Sequence, residues 1–368
     1  MLRSGFLLLL CLVLNAVPIF AQEKPVRIGV AGLSHAHVHW ILGREDLGDI
    51  ELVGIAEPNR ELAQRYAKQH GFSMDLVYNT LEEMIAATQP EAVTAFGSIF
   101  EHLSVVETCA PKGIHVMVEK PLAVSLDHAK KMKALAQKHN IHLLTNYETT
   151  WYPTNHKAKE LLDKGKIGDL RKVIVRDGHK GPVKIGVNKE FLDWLQDPIL
   201  NGGGAITDFG CYGANLMTWI KKGARPNTVT AVTQQFQPGN NPKVDDDATI
   251  ILTYDDCQAI LEPSWNWPIG RKDMELYGLT GAIYADNRND LRIRMAEGYD
   301  GYQEEKMSLE ERPAPNNDPF SVLAAVVRGK MSLQPSDLTA LENNMVVIEI
   351  LDAARQSAKK GKTVVLKK

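Results

Sequence analysis

At 368 residues the chain exceeds one small core and, at roughly 100–200 residues per domain, points to two domains. Its apolar fraction of 44% and charged fraction of 24% exclude disordered, collagen-like and coiled-coil chains and leave a soluble enzyme or binding protein. A net charge of −3 without any basic run argues against nucleic-acid binding, which needs clustered Lys and Arg.

The first segment reads as an export signal: Arg3 supplies a positive start, Phe6–Val17 is almost wholly apolar, and Ala21 is a small exit residue before Gln22. A membrane anchor would need about 20 apolar residues, and here Asn15 interrupts a shorter run. A lipoprotein reading through Cys11 fails because Leu10 is not small. The expectation is cleavage after Ala21, with residues 1–21 as signal peptide and a periplasmic or secreted product that does not insert in a membrane. Cleavage leaves 41 basic against 45 acidic residues, and three widely spaced cysteines, Cys109, Cys211 and Cys257. An odd, scattered set is no disulfide framework, so core packing must hold the fold.

Next come short apolar strands at Val26–Ala31, Ile50–Ala56, Glu91–Ala95, Ile114–Val118 and Ile141–Leu144. Helical stretches at Ser34–Leu42, Arg60–His70, Thr80–Thr88, Leu103–Lys112 and Ser125–Lys138 alternate with them. This rhythm predicts β-α-β units, hence a doubly wound parallel α/β domain over residues 24–148, with ligand at the carboxyl ends of its strands. Beyond, Leu170–Asp177, Thr228–Gln237, Ala248–Tyr254, Ala259–Trp265, Asp273–Gly278 and Ala282–Asp286 read as successive strands of an antiparallel sheet. A last helix over Pro335–Lys359 closes this second α+β domain, residues 149–368. Asp245-Asp246-Asp247 reads as a loop before a strand rather than a metal site.

A dinucleotide site wants Gly-x-Gly-x-x-Gly after the first strand, so that backbone can approach a pyrophosphate at a helix N-terminus. Here Gly32-Leu33-Ser34-His35-Ala36-His37 keeps only the first glycine. Glu57 ends the second strand, 25 residues on, where a carboxylate accepts both ribose hydroxyls and repels a 2′-phosphate. His35, His37 and His39 form a His-x-His-x-His run. On a helix His35 and His39 share a face while His37 points elsewhere, which suits no single metal, so none is expected.

Downstream, Val118-Glu119-Lys120-Pro121 ends a strand, and Gly202-Gly203-Gly204-Ala205-Ile206-Thr207-Asp208-Phe209-Gly210-Cys211-Tyr212 opens a helix about 80 residues later. Together with the Gly32 turn and the closing Ser357–Lys362 stretch, this resembles the glucose–fructose oxidoreductase/inositol dehydrogenase (Gfo/Idh/MocA) family over essentially the whole mature chain. The resemblance implies a Rossmann domain, a second domain on a large, mostly antiparallel open sheet, homo-oligomers formed through that sheet, and NAD(P)-dependent oxidation of a sugar or polyol hydroxyl. It sets Gly32, Ser34, His35, His37, Glu57, Gly97, His102, Glu119 and Lys120 along the cofactor. Gly97-Ser98-Ile99 stands where the family usually has Thr-Pro-Asn, and Thr150 where it has an arginine.

Lys120, at a strand's carboxyl end, suits a cation that stabilises alkoxide character on the reacting oxygen. Asp208 and Tyr212 lie four apart and project from one helix face. Many relatives have histidine where Tyr212 stands, and the glucose–fructose oxidoreductase branch has tyrosine. Beside a lysine cation its pKa is expected to fall, fitting it to take the substrate proton. Tyr147, Trp151 and Trp265 offer flat rings for sugar C–H faces, and His179, Lys180 and Asn266 offer partners for hydroxyls.

Three functions fit these residues. The first is an exported sugar or glycoside dehydrogenase that prefers NAD to NADP and holds it tightly, since no soluble NAD pool is expected outside the cytoplasm. The second is a redox-neutral glycosidase or lyase that oxidises transiently on the same scaffold. The third is a carbohydrate-binding relative that has lost the cofactor.

Overall fold

The computed structural model describes residues 24–366, so the export signal read over 1–21 lies outside the described residues. Strands covered on both faces must be apolar throughout, and Ile28, Val30, Ile55, Val93, Val116 and Val118 are all fully or nearly fully buried. Strands β1 (Val26–Ala31), β2 (Ile50–Ala56), β3 (Val77–Tyr78), β4 (Ala92–Ala95), β5 (His115–Glu119) and β6 (Leu143–Asn146) form one parallel sheet in the order β3-β2-β1-β4-β5-β6. The order reverses between β1 and β4, which opens a crevice at their carboxyl ends.

The second sheet has nine strands: β7 (Leu170–Gly178), β8 (Thr228–Gln234), β9 (Asp247–Thr253), β10 (Gln258–Ser264), β11 (Arg271–Gly278), β12 (Gly281–Ala285), β13 (Asp290–Glu297), β14 (Gly301–Ser308) and β15 (Val364–Val365). Their order is β14-β13-β12-β11-β7-β10-β9-β8-β15, antiparallel except for the β7–β10 pair. Period-two alternation turns Val173, Val175, Ile250, Leu252, Ala259 and Leu261 inward under the helices Gly210–Ile220 and Leu341–Lys360. The other face carries charge, with Arg176 bonded to Glu262 (2.7 Å) and Glu275 (2.8 Å). One apolar core continues from Val93 and Val116 in the first sheet to Phe209, Tyr212 and Leu261 in the second. Helix Pro319–Val327 returns to the first domain, where Phe320, Leu323 and Val326 join the core of Ile28 and Val38. No helix of the described residues is long and apolar enough to cross a membrane.

The structure departs from expectation in several places. Ser34–Leu42 is not one helix; only Val38–Leu42 is helical. The N–H groups before it are committed elsewhere, Leu33 to Glu57 (2.8 Å) and His35 to the Phe96 carbonyl (2.8 Å), so the turn stays open. β14 escaped notice because its face is solvated and Gln303-Glu304-Glu305-Lys306 has no apolar period. The last helix starts at Leu341 rather than Pro335.

The Gly202-Gly203-Gly204 loop is tied to the second sheet by Asp245, whose carboxylate accepts the N–H groups of Gly204 (3.0 Å) and Ile206 (2.7 Å). Asp246 serves Phe236 and Gln237 in the same way (2.7 and 2.6 Å). A Cβ on Gly204 would stand 1.8 Å from the Asp245 carbonyl oxygen, backbone that cannot yield cheaply. Gly204→Ala should therefore cost at least about 2 kcal/mol of stability, read as a lower urea midpoint with an unchanged circular dichroism spectrum. A parental midpoint would show that this approach imposes no constraint.

Candidate active site

At the crevice between β1, β2 and β4 lies a cavity of about 350 Å³ lined by Gly32, Ser34, Glu57, Asn59, Gly97 and His102, among others. Gly32 has φ +79°, and a Cβ there would sit 2.8 Å from the Gly97 nitrogen, so two chain segments meet where only glycine fits. Glu57 is held by the N–H groups of Leu33 (2.8 Å) and Asn59 (2.7 Å), and burial raises its pKa. His102 points Nδ1 at the Leu122 carbonyl (3.2 Å), while its Nε2 is buried without a partner. Burial pulls its pKa to about 4, so it is neutral near pH 7 and Nε2 is an acceptor.

The second domain covers this turn. Helix Lys189–Leu195 sends Trp194 Nε1 to Ser34 Oγ (3.0 Å) and Glu190 to Arg65 (2.8 Å), while Asn188 donates to the Tyr66 hydroxyl (2.5 Å). The rings of Phe191 and Trp194 lie 4.8 and 5.8 Å from His35.

Beyond β5 stands Lys120, 5% exposed. Its Nζ donates to the Asp208 carbonyl (3.0 Å) and forms an ion pair with the Asp208 carboxylate, whose other oxygen accepts Trp265 Nε1 (2.9 Å). Burial opposes both charges, but each stabilises the other: the lysine pKa rises and the aspartate pKa falls. Two of the three ammonium directions are thus used, and the third is left for a ligand. Although Phe209 interrupts the helix between them, Asp208 and Tyr212 both face Lys120, whose Nζ lies 5.2 Å from the Tyr212 ring centre. The expected fall in the Tyr212 pKa is overturned. Burial, then the carboxylates around it, push this phenol well above its ordinary value.

The histidine run is not a helical stripe. His35 and His37 converge on Glu119, with ligand-type atoms of all three within 4.8 Å of one another, whereas His39 turns away to His70 (2.7 Å). The helical reading separated His37 from His35 because it assumed a helix that starts four residues too early.

On the second-domain side, a cavity of about 530 Å³ is lined by Glu148, Tyr152, His179, Phe209, Arg271 and Lys272, among others. Of the residues expected at a sugar, His179 is here. Trp265 is fully buried and positions Asp208, while Tyr147 packs edge-on against Tyr212 (5.6 Å). Trp151 is buried and donates to Asn146 (3.0 Å), so it is not a stacking platform. Asn266 spends both ends on Asp246 and Gln237 (2.9 and 2.7 Å), and Lys180 is exposed outside the cavity lining. Sequence reasoning missed Glu148, Lys272 and Asp177. Asp177 was detectable: it follows Val173 and Val175 at period two, on the buried face of β7. Burial raises its pKa far above a normal carboxyl, with Lys272 opposing, and its Oδ1 has no partner.

Burial favours protonation of Glu119 and Glu148, but His37 beside the first and Lys272 beside the second hold both near a pKa of about 2, against an ordinary 4.5. A depressed folded pKa contributes stability that is present above pH 4.5 and lost as pH falls toward 2. Glu148→Gln should flatten the fall in urea midpoint across that window. The same slope as the parent would contradict the pairing with Lys272.

Comparison with known proteins bears on this arrangement. The oxidoreductase-family model with an NAD-binding Rossmann fold matches residues 26–147, and the GFO/IDH/MocA C-terminal domain model matches 155–284. Trans-1,2-dihydrobenzene-1,2-diol dehydrogenases of Xenopus tropicalis and Xenopus laevis are 30% and 31% identical over 209 and 217 residues. These alignments cover 56% and 58% of this chain and only 58% and 60% of those proteins. Two solved structures share the fold: an aldose-aldose oxidoreductase from Caulobacter crescentus with glycerol (21% identity, TM-score 0.75) and an inositol dehydrogenase homologue from Azotobacter vinelandii with NAD+ (18%, 0.79). Each comparison covers 93% of this chain, and 100% and 98% of the other chain respectively. The chain belongs to the GFO/IDH/MocA family of oxidoreductases, with an NAD-binding Rossmann domain followed by the family's C-terminal domain.

Proposed function

We propose that the protein is an exported NAD-dependent dehydrogenase acting on a secondary hydroxyl of a sugar, glycoside or related polyol. The observation that carries this reading is Lys120, an ammonium fixed by Asp208 at the end of β5, with Trp265 holding that carboxylate and the ring of Phe209, which lines the second-domain cavity, 5.6 Å from its Nζ. The crevice fits a dinucleotide. Gly32 gives close backbone approach, Glu57 carries the ribose-type carboxylate, and the buried, partnerless Nε2 of His102 awaits a donor. Bound there, NAD+ supplies a hydride acceptor. The protein's part is to bind and orient the hydroxyl and to stabilise its developing negative charge through the third N–H of Lys120.

The relatives named above act on a dihydrodiol, on aldoses or are likened to an inositol enzyme, all molecules with neighbouring hydroxyls. A cavity combining the Phe209 ring with Glu148, His179 and Lys272 suits such a substrate. Glu57 favours NAD, because a 2′-phosphate would meet a carboxylate. Tight retention is supported by the Lys189–Leu195 helix across the cofactor turn. Export rests on the segment 1–21, and self-association on the open charged sheet face, which a sedimentation measurement of mass would test.

Protein purified from the periplasmic or secreted fraction should begin at Gln22 and release near-stoichiometric NAD(H), not NADP(H), after dialysis. Empty protein that cannot be reloaded with NAD would defeat this reading. Lys120→Ala should lower kcat by about 10²–10³ while leaving sugar affinity near the parental value. An unchanged kcat would remove Lys120 from the chemistry.

A further inference from the structure

We propose that the cavity around Arg312 is a second binding site, apart from the crevice and the second-domain cavity, and that it takes a small hydroxycarboxylate anion. The proposal stands on its own geometry and does not depend on the dehydrogenase reading. The cavity holds about 200 Å³ and is lined by Thr150, His156, Trp219, Arg312, Asn316 and Asp337, among others. None of these residues lines either cavity described above. The walls come from distant parts of the chain. Thr150 follows β6, His156 lies on the helix Pro153–Asp163 and Trp219 on Gly210–Ile220, and Arg312 and Asn316 belong to the segment between β14 and the helix Pro319–Val327.

An arginine without an anion singles this place out. Among the described residues, every other arginine except the exposed Arg60 is paired with a carboxylate. Arg312 is half-buried and has no such partner. Its Nη1 donates to the Asn316 carbonyl (3.1 Å) and lies 3.0 Å from His156 Nε2. The second approach is not a hydrogen bond. His156 Nε2 stands 2.8 Å from the Thr150 carbonyl, and one ring nitrogen cannot give a proton to a carbonyl and take one from a guanidinium. Two donors therefore face each other. Burial, then the Arg312 charge, pull the His156 pKa to about 4, so the ring is neutral near pH 7 and its Nδ1 keeps a lone pair. Burial lowers the Arg312 pKa as well, the direction expected of a cation that no carboxylate offsets. Nε and Nη2 of the guanidinium have no acceptor among the described residues. They form the side-on fork that an oxyanion fills with two parallel hydrogen bonds.

Size and charge narrow the ligand. A volume of about 200 Å³ is that of roughly six or seven water molecules in the liquid, which suits an acid of three carbons. Asp337 also stands in the wall, with one carboxylate oxygen on the Gln334 N–H (2.7 Å), and burial raises its pKa. A single negative charge is therefore better placed there than the higher charge of phosphate. His156 Nδ1 and Asp337 offer acceptors to a hydroxyl. The Trp219 ring, edge-on to His156 at 5.1 Å, offers an apolar surface to the carbon chain. Val322 shares the wall and belongs to the core of β1, whereas Trp219 packs on the core of the second sheet. A ligand held between them ties the two domains together and stabilises the folded chain.

The test takes the protein as purified and titrates glycerate, acetate and inorganic phosphate by calorimetry in chloride-free buffer. Glycerate should bind once per chain, more tightly than acetate or phosphate, and raise the thermal midpoint. Arg312→Gln should weaken glycerate about 10–100-fold and cancel that rise while keeping the parental circular dichroism spectrum. Arg312→Lys keeps the charge but loses the fork, so its glycerate affinity should also fall, by less; it decides the matter if the glutamine variant does not fold. Lys120→Ala should bind glycerate as the parent does, which separates this site from the proposed catalytic one. Absence of binding in the parent, parental affinity in Arg312→Gln or Arg312→Lys, loss of binding in Lys120→Ala, or a preference for acetate or phosphate would each overturn the proposal.

Discussion

A lysine just beyond a strand of the first sheet and an aspartate on a short helix of the second domain are buried together. Burying two charges costs several kcal/mol each, and their attraction offsets this only when geometry is good and remaining hydrogen bonds are met. The pair Lys120–Asp208 meets both conditions, through the Asp208 carbonyl and the indole of Trp265. Three elements must therefore keep register with one another: the end of β5, the turn Ala205–Asp208 and the end of β10. The glycine loop held by Asp245 and the continuous apolar core serve that registration. Removing either charge would strand the other in an apolar setting, so the two domains are constrained to one relative placement.

Around this pair the ionisable groups are sorted by what faces them. Carboxyls that face a cation or an imidazole, Glu119 and Glu148, have their pKa pulled down to about 2. Burial above all raises the Asp177 pKa well above that of an ordinary carboxyl, against the pull of Lys272. Burial likewise raises the pKa of the Tyr212 phenol, with Glu148 adding to it. Anions, acids of raised pKa and two paired ammonium groups, Lys120 and Lys272, are thus set apart by desolvation and by what faces them.

Much of this was legible in the residues. Alternating short apolar runs and helices announced the parallel sheet, and Lys120, Asp208 and Glu57 were found because their motifs fall at strand ends. Three of the features that escaped show why. β14 is exposed on both sides over nearly its whole length and carries no hydrophobic period. The His35–His37 turn looked helical because a sequence does not reveal that Glu57 and Phe96, 24 and 61 residues away from their partners, claim its first N–H groups. The pKa of Tyr212 was misjudged because a nearby cation can be seen in a motif, whereas the depth of burial around a phenol cannot.

The Lys189–Leu195 helix carries a consequence for assembly. Its contacts with Ser34, Tyr66 and Arg65 close the cofactor turn with residues that lie more than 120 positions further along the chain. The crevice is lined by first-domain residues together with Glu190 of the second domain, so a ligand held there favours the docked state by mass action. Binding and interdomain docking are thereby coupled, so the midpoint of unfolding should track nucleotide concentration.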